Sequence, residues 1–213
     1  RQYGESSSQL LTRQRHSMFL LLLFSVLGFT SAARTCYGDI NNLSPTGRKV
    51  GGVPKSNTEV QTDLTYLNRY RSCYQTAADK LCIQASVIAA VASRESRGGS
   101  LLEKTNGYGD GGKAYGIMQC DIKNSGLPCT SVSWNSCAHI EMMTGALIAK
   151  INEVKRKFPN WPAERQLQGG VAAYNFGSKN VQSWSGLDVG TTNNDYSNDV
   201  IARAKYLYSI GWN

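Results

Sequence analysis

A chain of 213 residues is longer than one typical domain and well short of needing two, so one domain behind a processed leader is expected, with room for a sizeable core. The formal net charge of +8 favours anionic partners such as nucleic acid, a membrane surface or an acidic cell-wall polymer, and it also serves solubility. Nucleic-acid binding is set aside because no groove-reading motif accompanies the charge.

Residues 1–17 are polar, rich in Ser, Gln and Arg, and unpatterned, as in a leader or translated upstream sequence. Residues 18–33, "MFLLLLFSVLGFTSAA", form an apolar run too short for a membrane span, which needs about 20 residues, and end in the small residues Ser31, Ala32 and Ala33. The run is read as a secretory signal, with residues 34–213 as the mature domain. Removing Arg1, Glu5, Arg13 and Arg15 lowers the charge by 2 to +6, so the mature chain stays basic. All six cysteines, Cys36, Cys73, Cys82, Cys120, Cys129 and Cys137, follow the signal. An even number in an oxidising compartment favours disulfides; a zinc site is disfavoured because there is no CxxC pair and His139 is the only mature histidine.

Residues 34–56 are rich in Gly, Pro, Ser and Asn and read as an extended arm tethered by Cys36. In "NTEVQTDLTYLNRYRSCYQTAADKLC", Val60, Leu64, Leu67 and Tyr74 fall near a helical period behind Asn57 or Thr58 as cap, which predicts one surface helix. "QASVIAAVASRES" is apolar or small on nearly every side, the pattern of a helix buried all round. Residues 98–137 hold eight glycines and three cysteines and predict loops with a small twisted sheet. Ile140, Met143, Leu147, Ile151, Val154 and Phe158 mark another helix that Pro159 helps to stop; Pro162 opens the next, and a last helix buries Val200, Ala204 and Leu207 behind an Asp or Ser cap.

The charged end of the buried helix is its anomaly. Val87, Val91 and Glu95 are spaced by four, so Glu95 shares a face with two apolar side chains at the C-terminal turn. Desolvation and the negative end of the helix dipole both disfavour its ionised form, and a Glu with a raised pKa can serve as a general acid. Arg94 and Arg97 are near in sequence, but neither spacing puts them on that face. An exposed Glu paired with an arginine is the other reading of these residues. Asp110, in "GYGDGGKAYG", is either an ordinary turn Asp or a ligand-facing one, and Asp121, in "IMQCDIK", sits as at a strand end. One protonated acid and a second carboxylate about 6.5–9.5 Å away are what inverting hydrolysis of a glycosidic bond requires.

The ordered motifs "SRES" (93–96), "GYGDGG" and "YGIMQCD" (within 107–121), "RKFPNW" (156–161), "LQGGVAAYNFG" (167–177) and "LDVGTTNNDY" (187–196) make the mature chain resemble goose-type lysozyme, whose fold is shared with bacterial lytic transglycosylases. The resemblance implies a predominantly helical α+β, lysozyme-like fold with a buried central helix and a small antiparallel sheet. It implies hydrolysis of the β-1,4 bond between N-acetylmuramic acid and N-acetylglucosamine in bacterial peptidoglycan, with inversion and without metal or other cofactor. Glu95 would be the general acid, and Asp110 and Asp121 would hold the water. Gln119, Tyr174 and Asn175 would line the sugar cleft, and Tyr108 would offer a stacking face where the family pattern has Trp. Chitin oligosaccharides enter as a second substrate class because some members cleave chitin; a secreted monomer without stable membrane insertion is the expectation.

Two departures from the family pattern stand out. Of the two arm disulfides of vertebrate members, only Cys36–Cys82 has its cysteines here. Cys73, Cys120, Cys129 and Cys137 resemble the extra cysteines of secreted invertebrate members, with Cys129–Cys137 and Cys73–Cys120 as working guesses. Two competing readings are a lytic transglycosylase, in which a lone acid forms an anhydro-sugar and the two aspartates have no role, and a non-enzymatic cationic protein that binds bacteria.

Overall fold

The computed structural model describes residues 36–213; the leader and signal stretches expected over 1–33 lie outside them. Six α-helices, α1 (Gly52–Asn68), α2 (Arg71–Leu81), α3 (Ala85–Ser96), α4 (Cys137–Lys157), α5 (Ala163–Phe176) and α6 (Tyr196–Ser209), accompany three two-residue strands, β1 (Tyr108–Gly109), β2 (Ala114–Tyr115) and β3 (Cys120–Asp121). This is the helical α+β architecture expected from the sequence.

The centre is α3. Val87 to Ala92 are fully excluded from solvent, and the helix is packed by α1, α2 and α6. Its alanines leave room for those neighbours to approach from several sides, which is why the segment shows no polar face. The main partner of α4 is α5, and there the Gly-Gly pair of "LQGG" is decisive. A Cβ on Gly170 would lie 2.6 Å from the Ile151 Cα, so only glycine permits this approach.

Two boundaries differ from expectation. The arm ends at Gly51 rather than at residue 56, because α1 starts behind Gly51 (φ 90°) and carries Pro54 in its first turn, where a missing N–H costs nothing. Neither Asn57 nor Thr58 caps it. The single surface helix expected over 57–82 is two helices: Tyr70, at φ −119° and ψ 17°, breaks the run, leaving α1 on α3 and α6 while α2 turns toward α4.

The arm is held along its length. Cys36 is bonded to Cys82, Ile40 is fully buried, and the backbone N–H groups of Ile40, Thr46 and Lys49 donate to Gln84, Asn198 and Asp195. The other two disulfides correct the working guesses: Cys73 pairs with Cys137, and Cys120 with Cys129. Cys73 on α2 meets the first residue of α4 at a Cα separation of 4.8 Å, while Cys120 in β3 closes the short loop that follows it.

The antiparallel sheet has the order β1-β2-β3. Its register sets Gly109 opposite Ala114 and Ala114 opposite Asp121. Between β2 and β3 the chain rests on His139, whose Nε2 accepts a long hydrogen bond from Met118 N–H at 3.5 Å. A Cβ on Gly116 would strike that imidazole, so Gly116 at φ 84° is required. Burial pushes the His139 pKa down to about 4, so the folded protein holds a neutral ring where the unfolded chain binds a proton. The contribution of His139 to stability therefore falls as pH drops from about 6.5 toward 4, and the unfolding free energy of His139→Gln relative to wild type should rise as pH falls through that window, measured by urea unfolding of both proteins.

Candidate active site

The four residues of "SRES" in the last turn of α3 bind three parts of the molecule: α1, the start of α6, and the segment leading into β3. The Ser93 hydroxyl donates to Asp63 on α1 at 2.6 Å. Arg94 reaches α6 and the segment before it, donating to Asp199 at 2.6 Å, to Asp195 at 2.9 Å and to the Thr192 carbonyl at 3.1 Å. Glu95 accepts a hydrogen bond at Oε1 from the Tyr196 hydroxyl. The Ser96 hydroxyl donates to the Ile117 carbonyl at 2.6 Å and so fixes the helix end to the segment leading into β3.

Glu95 is half-buried, and its desolvation outweighs the hydrogen bond from Tyr196 and the charge of Arg94, lifting its pKa to about 7. Val91 and Val87, one and two turns below it, are both fully buried. The Arg94 guanidinium is committed elsewhere, and the Arg97 side chain is exposed. Neither neutralises the carboxyl by a direct ion pair. Burial and the charge on Glu95 together raise the pKa of Tyr196 and of Tyr174, so both phenols stay protonated.

Arg94 belongs to a larger ion network. Arg203 on α6 donates to Asp199 at 3.0 Å and to Ser93 at 2.9 Å, and also pairs with Asp63 and Glu59. Asp199 is fully buried between the two arginines. The start of α6 is held by Asp188, which accepts from Ser197 N–H at 2.8 Å and from Asn198 N–H at 2.9 Å. This remote cap takes the place of the adjacent Asp or Ser cap expected from the sequence, since Asp195 makes no side-chain cap.

The remaining candidates divide between two regions. Gln119, Asp121, Tyr174 and Asn175 line one cleft of about 540 Å³ whose opposite wall is α4, with Met143, Lys150 and Glu153. The Tyr174 hydroxyl donates to the Met118 carbonyl at 2.7 Å, which ties α5 to the strand loop beside Glu95. Gln119, at φ 51°, donates to the Gly116 carbonyl and lies so close to Gly109 that a Cβ there would be 1.9 Å from Gln119 Oε1. Asp121 accepts from Asn124 Nδ2 at 2.8 Å and from the backbone N–H groups of Asn124 and Lys123 at 3.0 Å, which hold its pKa below the usual carboxylate range. It organises its own turn as well as facing the cleft.

Asp110 and Tyr108 lie at the other edge of the sheet, outside the lining of that cleft. Asp110 is exposed, at φ 46°, and its carboxylate makes no hydrogen bond among the described residues. Two strand spacings put the Asp110 and Asp121 backbones on the order of 10 Å apart. Tyr108 is 42% exposed, with its ring edge-on to Tyr115 at 5.0 Å. Tyr196 and the α4 wall carry parts of the site that sequence reasoning did not assign. Tyr196 is separated from Glu95 by 101 positions, and only its place in "NNDY" points to it.

The family model described as lysozyme g matches residues 37–211. A glycine, glutamate and proline-rich protein of Lottia gigantea is 51% identical over 83% of the chain, which spans 46% of that relative's length. Lysozyme G of Dromaius novaehollandiae is 40% identical over 92% of the chain and all of the relative. Lysozyme g of Takifugu rubripes is 41% identical over 76% of the chain and 86% of the relative.

Removing one partner of a buried ion pair leaves the other uncompensated, at about 3–5 kcal/mol. Asp199→Asn should lose stability of that order in denaturant unfolding, whereas Glu103→Gln, which removes the exposed partner of Arg69, should cost less than about 1 kcal/mol.

Proposed function

Because the chain belongs to the lysozyme g family and is a glycoside hydrolase of the lysozyme kind, we propose that it is a secreted muramidase acting on bacterial peptidoglycan. In this reading it cuts the β-1,4 bond between N-acetylmuramic acid and N-acetylglucosamine with inversion. The observation that carries the chemistry is the Glu95 carboxyl, held at the end of a buried helix with its pKa raised to about 7. A group of this kind is substantially protonated near neutrality and matches the driving force for proton transfer to a leaving oxygen. With Tyr196 donating to Oε1, the transferable proton resides on Oε2.

Water is the nucleophile in this reading, held by carboxylates across the sheet. Asp121 remains ionised because three N–H donors favour its charged form. Asp110 offers a carboxylate with no competing hydrogen bond among the described residues. Gln119, Tyr174 and Asn175 supply polar contacts for the glycan, and Met143 and Phe176 supply apolar ones in the same cleft. Tyr108 adds a stacking face beyond it.

Secretion is supported by the apolar segment at 18–33 and by three disulfides, which form and persist in oxidising compartments. Among the described residues no helix is long and apolar enough to cross a membrane. The basic charge would raise the encounter rate with an anionic wall without altering the chemistry.

Glu95→Gln should lower turnover of purified peptidoglycan by about 10²–10⁴-fold. The raised acid also has a stability signature. Its ionisation opposes folding, so the contribution of this one group to stability is lost as pH rises from its unfolded value of about 4.3 through 7, and Glu95→Gln lacks that loss. The variant should melt above the wild type at pH 8 and level with it at pH 4, which separates lost chemistry from lost fold. Wild-type products should carry a water-added reducing end by mass spectrometry and the inverted anomer by NMR. An anhydro-sugar end would assign transglycosylation instead, and retained activity in Glu95→Gln would remove the acid from the mechanism.

A further inference from the structure

A second hollow, of about 430 Å³, lies between α1, α3 and α6 and has a different chemistry from the cleft. Five cationic side chains line it, Arg48, Lys55, Arg94, Arg97 and Arg203, against the carboxylates of Glu59 and Asp63. The five are not equally committed. Arg94 and Arg203 are held by Asp195, Asp199 and Asp63, with separations of 2.6–3.5 Å. Arg48 stands 3.6 Å or more from its nearest carboxylates, and neither its guanidinium nor that of Arg97 makes a hydrogen bond among the described residues. The Arg97 guanidinium is therefore the open donor fork of this concavity, and Arg48, paired at 3.6–3.8 Å with Glu59, Asp195 and Asp199, stands beside it, an arrangement that suits a carboxylate or phosphate.

The backbone at Arg97 adds to this. It closes α3 in the left-handed region, at φ 53° and ψ 48°, where Gly or Asn is the usual residue and other side chains are strained. The arginine there makes no side-chain hydrogen bond or ion pair among the described residues, and its charge acts on the Asp63 carboxylate only at longer range. The pocket also adjoins the cleft. Thr192, in its wall, donates its N–H to Asn175 Oδ1 at 2.9 Å and accepts from Asn175 Nδ2 at 3.0 Å, and Asn175 lines the cleft.

We infer that the pocket is an oxyanion subsite that takes a carboxylate or phosphate group carried by the wall polymer while the glycan occupies the neighbouring cleft. The identity of the polymer rests on the muramidase reading; the existence of the site does not. Stem-peptide carboxylates and the phosphates of wall-linked polymers share the required chemistry.

The test reads binding without cleavage. The full chain, labelled with ¹⁵N, is titrated with a synthetic stem peptide bearing free carboxylates, with a glycerol phosphate polymer and with inorganic phosphate. The Arg97 side-chain Nε–H and the Thr192 and Asn193 amides should shift saturably with at least one probe. Arg97→Gln should weaken that binding about tenfold or more, the loss of a charge-assisted hydrogen bond, while leaving cleavage of uncharged chitin oligomers at its wild-type level, whatever that level is. A response to the peptide alone assigns the site to stem carboxylates, to the phosphate polymer alone assigns it to wall phosphates, and to all probes shows a general oxyanion site. No saturable shift with any probe, or equal affinity in Arg97→Gln, overturns the inference. Failure of the muramidase reading would show separately, as wild type and Glu95→Gln acting equally on peptidoglycan.

Discussion

The commitment of Arg94 to Asp199 and Asp195 is the constraint on which the site depends. A guanidinium one residue from Glu95 could pair with its carboxyl and lower its pKa toward the range of an exposed acid. Here the carboxylates that begin α6 hold Arg94 through two charge-assisted hydrogen bonds, and one of them is fully buried. Glu95 is then left with a phenol as partner rather than a cation. Desolvation from the buried body of α3 outweighs that neutral hydrogen bond, and a carboxylic acid survives near neutrality.

The same turn of helix couples the acid to everything around it. Ser93 ties it to α1, Ser96 ties it to the loop before β3, and Tyr174 brings α5 to the adjoining carbonyl. Glycines then allow the close approaches this convergence needs: Gly170 lets α5 reach α4, Gly116 admits His139, and Gly109 admits the Gln119 side chain. The sheet, only two residues per strand, serves less as a core element than as a support for Asp110 at one edge and Asp121 at the other.

Much of this was legible in the sequence wherever a pattern was local. The all-round apolar run of α3 announced a buried helix, and the four-residue spacing from Val87 through Val91 to Glu95 announced an acid on a desolvated face. The glycine-rich stretch announced short strands. What escaped were effects fixed by distant partners. The break at Tyr70 leaves the hydrophobic period almost unchanged, so periodicity alone runs α1 into α2; the need of α2 to meet α4 at Cys73–Cys137 is tertiary. The pairing of four cysteines is tertiary too, as is the capping of α6 by Asp188. Tyr196 could be placed within a motif but not opposite Glu95, because nothing local in "NNDY" indicates the start of a helix folded back against α3.

Titration of the Glu95 carboxyl by ¹³C NMR, with Glu95→Gln used to assign the resonance, reads the protonation of the acid itself. A midpoint near 7 is expected in the wild type and a higher one in Tyr196→Phe, where the hydrogen bond that favours the ionised form is gone. A wild-type midpoint near 4.5, the value of an ordinary exposed glutamate, would contradict that expectation.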